Sequence, residues 1–179
     1  MRFGSNKQRK LKLNRDQFSA VERLAVYEAV NFLLISQLDL QRLFGLRPEE
    51  FEVFQLVVLA TVQRYVRAAG SDGVKLDRTP LGPEKTGAIS RRRIAETLDI
   101  PLETVRRHVA HLMDKGLVVE RGRGRIATPG GTLSRASTVG ETLRLAQRHL
   151  ALTNKLIQLG VLTDRSGSDT QNTNATGQF

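Results

Sequence analysis

Apolar residues recur at intervals of three and four over residues 16–44, which is the period of a helix with a buried face. Their positions cover a wide arc, so we expect burial on two sides of this helix. Gly45 ends it, and Pro48 with the two following glutamates begins a second helix that reaches about Ala69. The pattern therefore predicts two long helices over residues 16–69. Their apolar positions include Phe18, Leu24, Ala25, Phe32, Leu33, Ile35, Leu38, Phe51, Phe54 and Val57.

Another helical pattern occupies residues 138–162, near the C-terminus. Two rows of apolar side chains each repeat there every seven residues. The rows are Leu143, Leu150 and Ile157, and Leu145, Leu152 and Leu159. Two such rows predict two buried faces, one against the helix's own domain and one against a second subunit. The alternative is a helix enclosed on both sides within one subunit.

Residues 88–129 show two short helical patterns followed by two strand patterns. Ser90 is a good N-cap for the first helix, and Asp99-Ile100-Pro101 forms the turn into the second. Gly116 ends the second helix, and a Gly-Arg-Gly turn joins two strands over residues 117–128. The positions predicted to face inward are Ile94, Ala95, Leu98, Ile100, Val105, Val109 and Leu112.

Three segments are interpreted as connectors or ends. Residues 1–15 hold lysines and arginines but no acid, which predicts a flexible basic arm, either simply solvated or contacting phosphates. Residues 70–87 contain four glycines and two prolines, which predicts a long loop. Residues 163–179 are polar and predicted to be disordered.

The charge balance narrows the choice of partner. The chain has 28 lysines and arginines against 18 acids, a formal net charge of +10. This excess favours a polyanion, nucleic acid first and an acidic membrane surface second, although it also suits a merely solvated surface. Cysteine is absent, which excludes disulfides, thiol catalysis and cysteine-based zinc sites. No apolar run could span a bilayer and no signal-peptide pattern occurs, so we expect a cytoplasmic protein.

Helix, tight turn, helix and hairpin is the order of a winged helix-turn-helix. The stretch RIAETLDIPLETVRRHVAHLMDKGLVVE resembles bacterial winged-helix transcription regulators in its turn and in its apolar spacing. The long helices before and after it are similar to those of MarR-like dimers. The resemblance implies a mainly α fold: a three-helix core with a small β-hairpin wing, and long N- and C-terminal helices for dimerisation. It also implies double-stranded DNA as the partner.

In such a unit the second helix, residues 102–115, lies in the major groove of DNA. Arg106 and Arg107 would donate to guanine, while Glu103 would accept from cytosine or hold one of these arginines. Arg123 at the wing tip would enter the minor groove. His111 lies on the same outward face of the helix. The residues expected at phosphates are Ser90, Arg91, Arg92, Thr104, Arg121 and Arg125.

Each of these assignments has an alternative. The arginines of the first helix would also suit a solvated face, and those of the wing tip would also serve solubility alone. Arg106 and Arg107 would also pair with Glu103 on the helix surface without touching a base. His108 and His111 lie three residues apart but lack a third ligand, so no metal site is predicted. No cofactor is expected, and no catalytic constellation occurs, so we expect no enzyme.

The sequence therefore predicts a sequence-specific transcription regulator that binds double-stranded DNA as a homodimer. The residues predicted at the dimer interface are Phe32, Leu33, Leu145, Leu152, Leu156 and Leu159. A small-molecule effector between the dimer helices and the DNA-binding unit is a further hypothesis. Two alternatives stay open: another DNA-binding role, in plasmid replication, partition or the nucleoid, and a winged helix that binds a protein. The arginines of the second helix speak against the protein-binding alternative.

Overall fold

The computed structural model describes residues 10–69, 82, 84, 86–132 and 135–164. These residues are mainly helical and carry two small antiparallel sheets. The helices are α1 (Arg15–Ala20), α2 (Glu22–Phe44), α3 (Pro48–Ala69), α4 (Arg91–Leu98), α5 (Leu102–Asp114) and α6 (Ala136–Gln158). The strands are β1 (Leu11–Leu13), β2 (Ile89–Ser90), β3 (Val119–Arg121), β4 (Arg125–Ala127) and β5 (Leu162–Asp164).

The chain divides into two compact units. We call Leu38–Leu143 the winged-helix unit and the remainder, Met1–Gln37 with Arg144–Phe179, the terminal unit. Helices α2 and α6 each contribute residues to both units. The winged helix-turn-helix predicted from the sequence is confirmed, with α3, α4 and α5 as its three helices.

The core of the winged-helix unit is built from aliphatic side chains and two phenylalanines. Phe54 packs edge-on against Phe44, with ring centroids 4.8 Å apart. The aliphatic and aromatic positions predicted to face inward from α5 and from the start of α3 are buried as expected. The buried members are Leu46, Phe51, Val53, Phe54, Val57, Ile94, Val105, Val109, Leu112, Leu117, Val118 and Ile126.

A three-stranded sheet supports the helices, in the order β2-β4-β3. Arg121 pairs with Arg125 across the hairpin, and Ser90 pairs with Arg125 on the other side of β4. The hairpin was predicted, whereas β2 was not. Its two residues are too few to give an alternating pattern, and they lie directly before α4.

Thr61 fixes α3 to the sheet from inside the core. Its Oγ1 donates to the carbonyl of Val57 and accepts the backbone N–H of Thr128, at 2.8 and 3.0 Å. Its own carbonyl accepts the N–H of Gly87 at 2.8 Å. One buried threonine therefore positions both the segment before β2 and the residue after β4.

Three boundaries in the terminal unit differ from the prediction: the end of the N-terminal arm, the start of the C-terminal tail and the end of the last helix. Strand β1 pairs with β5, so the predicted arm of residues 1–15 and the predicted tail of residues 163–179 each lose residues to a sheet. Residues 1–9 of the predicted arm and 165–179 of the predicted tail lie outside the described residues. The C-terminal helix ends at Gln158, not at 162, because Gly160 adopts a positive φ of 71° and reverses the chain.

The first predicted helix is also divided. Asn14 caps α1 by accepting the N–H of Gln17, and the helix ends at Val21, whose φ of −120° and ψ of 20° leave the helical region. Helix α2 then starts at Glu22. Val21 is β-branched and therefore a weaker helix former than its neighbours. The Gln17 side chain donates to the carbonyl of Leu159 at 2.9 Å, which joins α1 to the end of α6.

Candidate nucleic-acid interface

Helix α5, which we call the reading helix, has one buried face and one exposed polar face. Val105, Val109 and Leu112 are fully buried on its inner side. Glu103 and Arg106 on the outer side are 80% and 58% exposed, and Arg107 is exposed as well. The periodicity of three and four therefore turns the charged residues away from the core, and these side chains are accessible to a partner.

The turn between α4 and α5 sets the angle of the reading helix. Asp99 adopts a left-handed conformation, with φ of 53°, and its N–H donates to the carbonyl of Ala95. The next N–H, that of Ile100, bonds to the same carbonyl at 3.2 Å. Asp tolerates this conformation better than most residues. Pro101 then leads into α5 and gives its first turn no side-chain cap.

A groove of about 500 Å³ brings the reading helix, the start of α4 and the wing tip together. Arg91, Arg92 and Arg106 line it, along with Leu102 and Gly124. Three arginines from two helices thus line one concavity. Such a surface attracts phosphate oxygens, for which guanidinium geometry is well suited.

Arg91 holds the wing against α4. One guanidinium nitrogen lies 2.7 Å from Glu120 Oε2, and the other donates to the carbonyl of Gly124 at 3.4 Å. Its side chain is 26% exposed, against 84% for Arg92. The prediction put both arginines at phosphates, but both terminal nitrogens of the Arg91 guanidinium contact the wing. Arg92 is the more accessible of the two, and its pairing with Glu96 is confined to the surface.

Arg106 and Arg107 differ in their surroundings. Arg106 forms an ion pair with Glu103 at 3.0 Å, one turn earlier on the same helix. This is the pairing that the alternative interpretation expected for both arginines. Among the described residues Arg107 has no ion-pair partner, and its side chain is exposed.

The wing presents one arginine at its tip and withdraws another. Arg123 has a positive φ of 62°, unusual for a long side chain, and Gly124 follows with 70°. Arg125 is exposed beside it. Arg121 was predicted at phosphates, but its guanidinium donates to Thr86 Oγ1 and to the carbonyl of Thr128. This corrects the prediction: Arg121 is half-buried and fastens β3 to neighbouring segments.

His111 is a second correction. It is half-exposed, as an outward residue should be, but its Nδ1 lies 2.5 Å from Oε1 of Glu50 on α3. Burial raises the pKa of Glu50, but the hydrogen bonds from His111 and from the Arg47 N–H and the electrostatic effect of His111 and His108 lower it by more. The pKa of Glu50 therefore lies below its ordinary value. His111 therefore belongs to the α3–α5 contact and is withdrawn from the set of expected DNA contacts.

The remaining predicted phosphate contacts lie at helix starts. The Ser90 hydroxyl caps α4 by accepting the N–H of Arg93 at 3.2 Å, as the sequence predicted for an N-cap. Thr104 is half-buried in the first turn of α5. Ser90 directly precedes Arg91 in the chain, Thr104 lies two residues after Leu102, and both residues are half-buried.

Sequence reasoning missed four residues, one beside the reading helix and three in a separate groove. Leu102, 37% exposed, lines the groove at the first position of α5, and an apolar side chain there suits a thymine methyl group. Arg64, Arg67 and Arg93 line a separate groove. Leu102 carried a signal, since it lies one residue before the predicted base-reading set. The arginines of α3 carried none, because their proximity to α4 arises only from tertiary packing.

The predicted interface residues lie on different faces of the terminal unit. Leu33 is exposed, whereas Phe32 is half-buried and packs near the His149 ring at 5.7 Å. The row Leu145, Leu152 and Leu159, together with Leu156, is half-buried within the chain itself. The row exposed along α6 is the other one, Leu143, Leu150 and Ile157. Because the predicted row is already half-covered by its own chain, the exposed row is the better candidate for a subunit contact.

Comparison with protein families gives one match. Residues 84–119 match winged helix-turn-helix DNA-binding domains. The matched segment includes β2, α4, the turn and the reading helix, and it ends at the first residue of β3. No curated protein and no solved structure matches the chain. Over the described ranges, no helix has the length and apolar character needed to cross a membrane. The winged-helix unit is therefore similar to DNA-binding domains, and DNA is the partner that this similarity supports.

Proposed function

We propose that the protein is a transcription regulator that binds specific double-stranded DNA sequences as a homodimer of MarR-like layout. The observation that carries the proposal is the exposure of Glu103, Arg106 and Arg107 on a helix whose opposite face is fully buried. A rigid, one-sided helix of this kind fits the major groove.

The roles within the interface follow from the contacts of each side chain. Arg107, which is exposed and forms no ion pair among the described residues, is the first candidate for a bidentate contact to guanine. Arg106 pairs with Glu103 on the helix surface, and this exposed pair leaves it free to turn to the next base. Arg123 extends from the wing tip toward the minor groove, where a narrow groove concentrates negative potential.

Phosphate contacts position this reading surface. Arg92 and Arg125 are exposed and flank the helix start and the wing. Ser90 and Thr104 add hydroxyl groups at the starts of α4 and α5. In this scheme Arg91 and Arg121 act indirectly, because they hold the wing in the position from which Arg123 and Arg125 reach DNA.

The homodimer is proposed from the apolar surface of the terminal unit. Val30 and Leu33 on α2 and Leu150 on α6 are each more than half exposed. Tyr27, Val30 and Leu34 recur on one face of α2 and are each more than half exposed, and a contiguous apolar patch of this kind marks an interaction surface. A two-fold dimer would present two reading helices about 34 Å apart, one turn of DNA, on a pseudo-palindromic site.

The test is selection of bound sequences from a random duplex pool, followed by affinity measurement for Arg107→Ala. We expect a two-fold symmetric consensus and a loss of about 1–3 kcal/mol on the selected site, with little loss on random duplex. Arg23→Ala, which removes an exposed arginine of α2, is the matched control. Equal affinity for selected and random duplexes would instead indicate a nonspecific DNA-packaging protein.

A further inference from the structure

A second basic groove lies on the winged-helix unit. It has a volume of about 470 Å³ and is separate from the groove beside the reading helix, since the two share no lining residue. Four arginines from three elements line it: Arg64 and Arg67 of α3, Arg93 of α4, and Arg125 of β4. None of its lining residues is acidic.

The packing of α3 against the sheet fixes the shape of this groove. The N–H of Gly87 donates to the carbonyl of Thr61, and a Cβ at Gly87 would lie only 2.2 Å from the carbonyl oxygen of Ala60. Only glycine therefore lets the chain approach α3 this closely. The following strand then runs beside the C-terminal half of α3, and its last residue, Ser90, pairs with Arg125.

The positive charge of the groove is largely uncompensated. Arg93 contacts Glu96 at 3.6 Å, but this pair is solvent-exposed and of little energetic weight. Within the described parts of the chain, Arg64, Arg67 and Arg125 form no ion pair. Arg64 and Arg67 lie three residues apart on one helix, where like charges repel. A bound anion removes this repulsion.

We infer that the groove binds the sugar–phosphate backbone of DNA flanking the segment that the reading helix and wing contact. The inference rests on the proposed function. Its physical basis is continuity, because Arg125 belongs both to the wing and to this groove, and Arg93 follows Arg92 on α4. A backbone that passes the wing at Arg125 therefore continues onto Arg93, Arg64 and Arg67. The contact is to phosphate and carries no base specificity.

The experiment compares wild type with Arg64→Ala/Arg67→Ala on two duplexes, one with long flanks and one cut back to the selected site. We expect the double variant to bind the long duplex more weakly and the short duplex as wild type does. Each lost phosphate contact lowers the salt slope by about 0.9, so the slope should fall by about 1.8. The ratio of the wild-type to the variant affinity for the long duplex should then fall about tenfold when the salt concentration rises fourfold, because the two slopes differ by about 1.8.

The matched control is Arg42→Ala/Arg47→Ala. It removes the same number of positive charges from two exposed residues, Arg42 in the last turn of α2 and Arg47 directly before α3. This variant should retain the wild-type slope on both duplexes. Thermal unfolding of both double variants should match wild type, since all four side chains are exposed.

Three results would overturn the inference. One is an unchanged slope for Arg64→Ala/Arg67→Ala on the long duplex, and another is an equal loss on both duplexes. The third is that inorganic phosphate stabilises the free wild-type protein but not the double variant, while duplex length has no effect on binding. That result would assign the groove to a small phosphorylated ligand. Arg107→Ala is measured in parallel: if it has no effect on the selected site the proposed function fails, whereas a normal effect confines the failure to the groove.

Discussion

The carboxylate of Glu50 lies 2.5 Å from Nδ1 of His111, and this contact joins the first turn of α3 to the reading helix. The other carboxylate oxygen accepts the backbone N–H of Arg47 at 3.2 Å, as a glutamate at the third helical position does in a capping box. His108, one turn earlier on α5, contacts the neighbouring Glu49 at 3.3 Å. The orientation of the reading helix thus depends on two glutamates of α3.

Glu50 should make stability depend on pH. Its pKa in the folded protein is lower than 4.5, so its contribution to stability is complete above that value and is lost as pH falls through the folded pKa. Glu50→Gln should therefore cost about 1.5–3 kcal/mol near pH 7, where hydrogen bonds to the charged group are lost, and less at an acid pH below the ordinary glutamate pKa. Denaturant unfolding at both pH values measures this difference. A cost independent of pH would contradict it.

Thr61 should be intolerant of substitution although its side chain is small. Thr61→Val keeps the shape but removes the oxygen that accepts the buried N–H of Thr128. Leaving that N–H unsatisfied should cost about 1–3 kcal/mol in free energy of unfolding. Thr97→Val is the control, because Thr97 also donates to a helix carbonyl but is exposed, and its loss should be within about 0.5 kcal/mol. Similar losses at both sites would show that Thr61 does not hold α3 to the sheet.

Arg123 should lower the free energy of unfolding but raise the affinity for DNA. A non-glycine residue in the left-handed region costs about 1–2 kcal/mol, and asparagine tolerates this region better than arginine. Arg123→Asn should therefore raise the free energy of unfolding by up to about 1 kcal/mol, while binding to duplex DNA weakens. Thermal unfolding and DNA titration on the same preparation measure both effects. A variant that is less stable, or that binds DNA as tightly as wild type, would refute this role.

The DNA-binding unit could be predicted because its signals are local. Ser90 caps a helix that begins at the next residue, and Gly116, with φ of 65°, ends the reading helix. The spacing of Val105, Val109 and Leu112 fixes which face is buried. Each of these features depends on residues within one or two turns, so the chain order alone reveals it.

The features that sequence reasoning missed depend on contacts between distant segments. Leu11 pairs with Asp164, a contact that no local pattern encodes. Arg121 has the same residue type and turn environment as Arg125, and its hydrogen bonds to Thr86 and to the carbonyl of Thr128 withdraw its side chain from the surface. On α6 the two leucine rows have the same period, so periodicity could not decide which one the chain itself covers.

The choice between these two rows gives the last prediction. Leu150→Glu places a charge on the exposed row and should dissociate the proposed dimer without unfolding the chain. Leu152→Glu places the same charge on the half-buried row, where it lies near Phe32 and Ile35, and should lower the free energy of unfolding. Sedimentation analysis and denaturant unfolding separate the two effects. Gln158→Glu, an exposed polar position on the same helix, should change neither. If Leu152→Glu alone produced folded monomers, the row predicted from the sequence would be the interface after all.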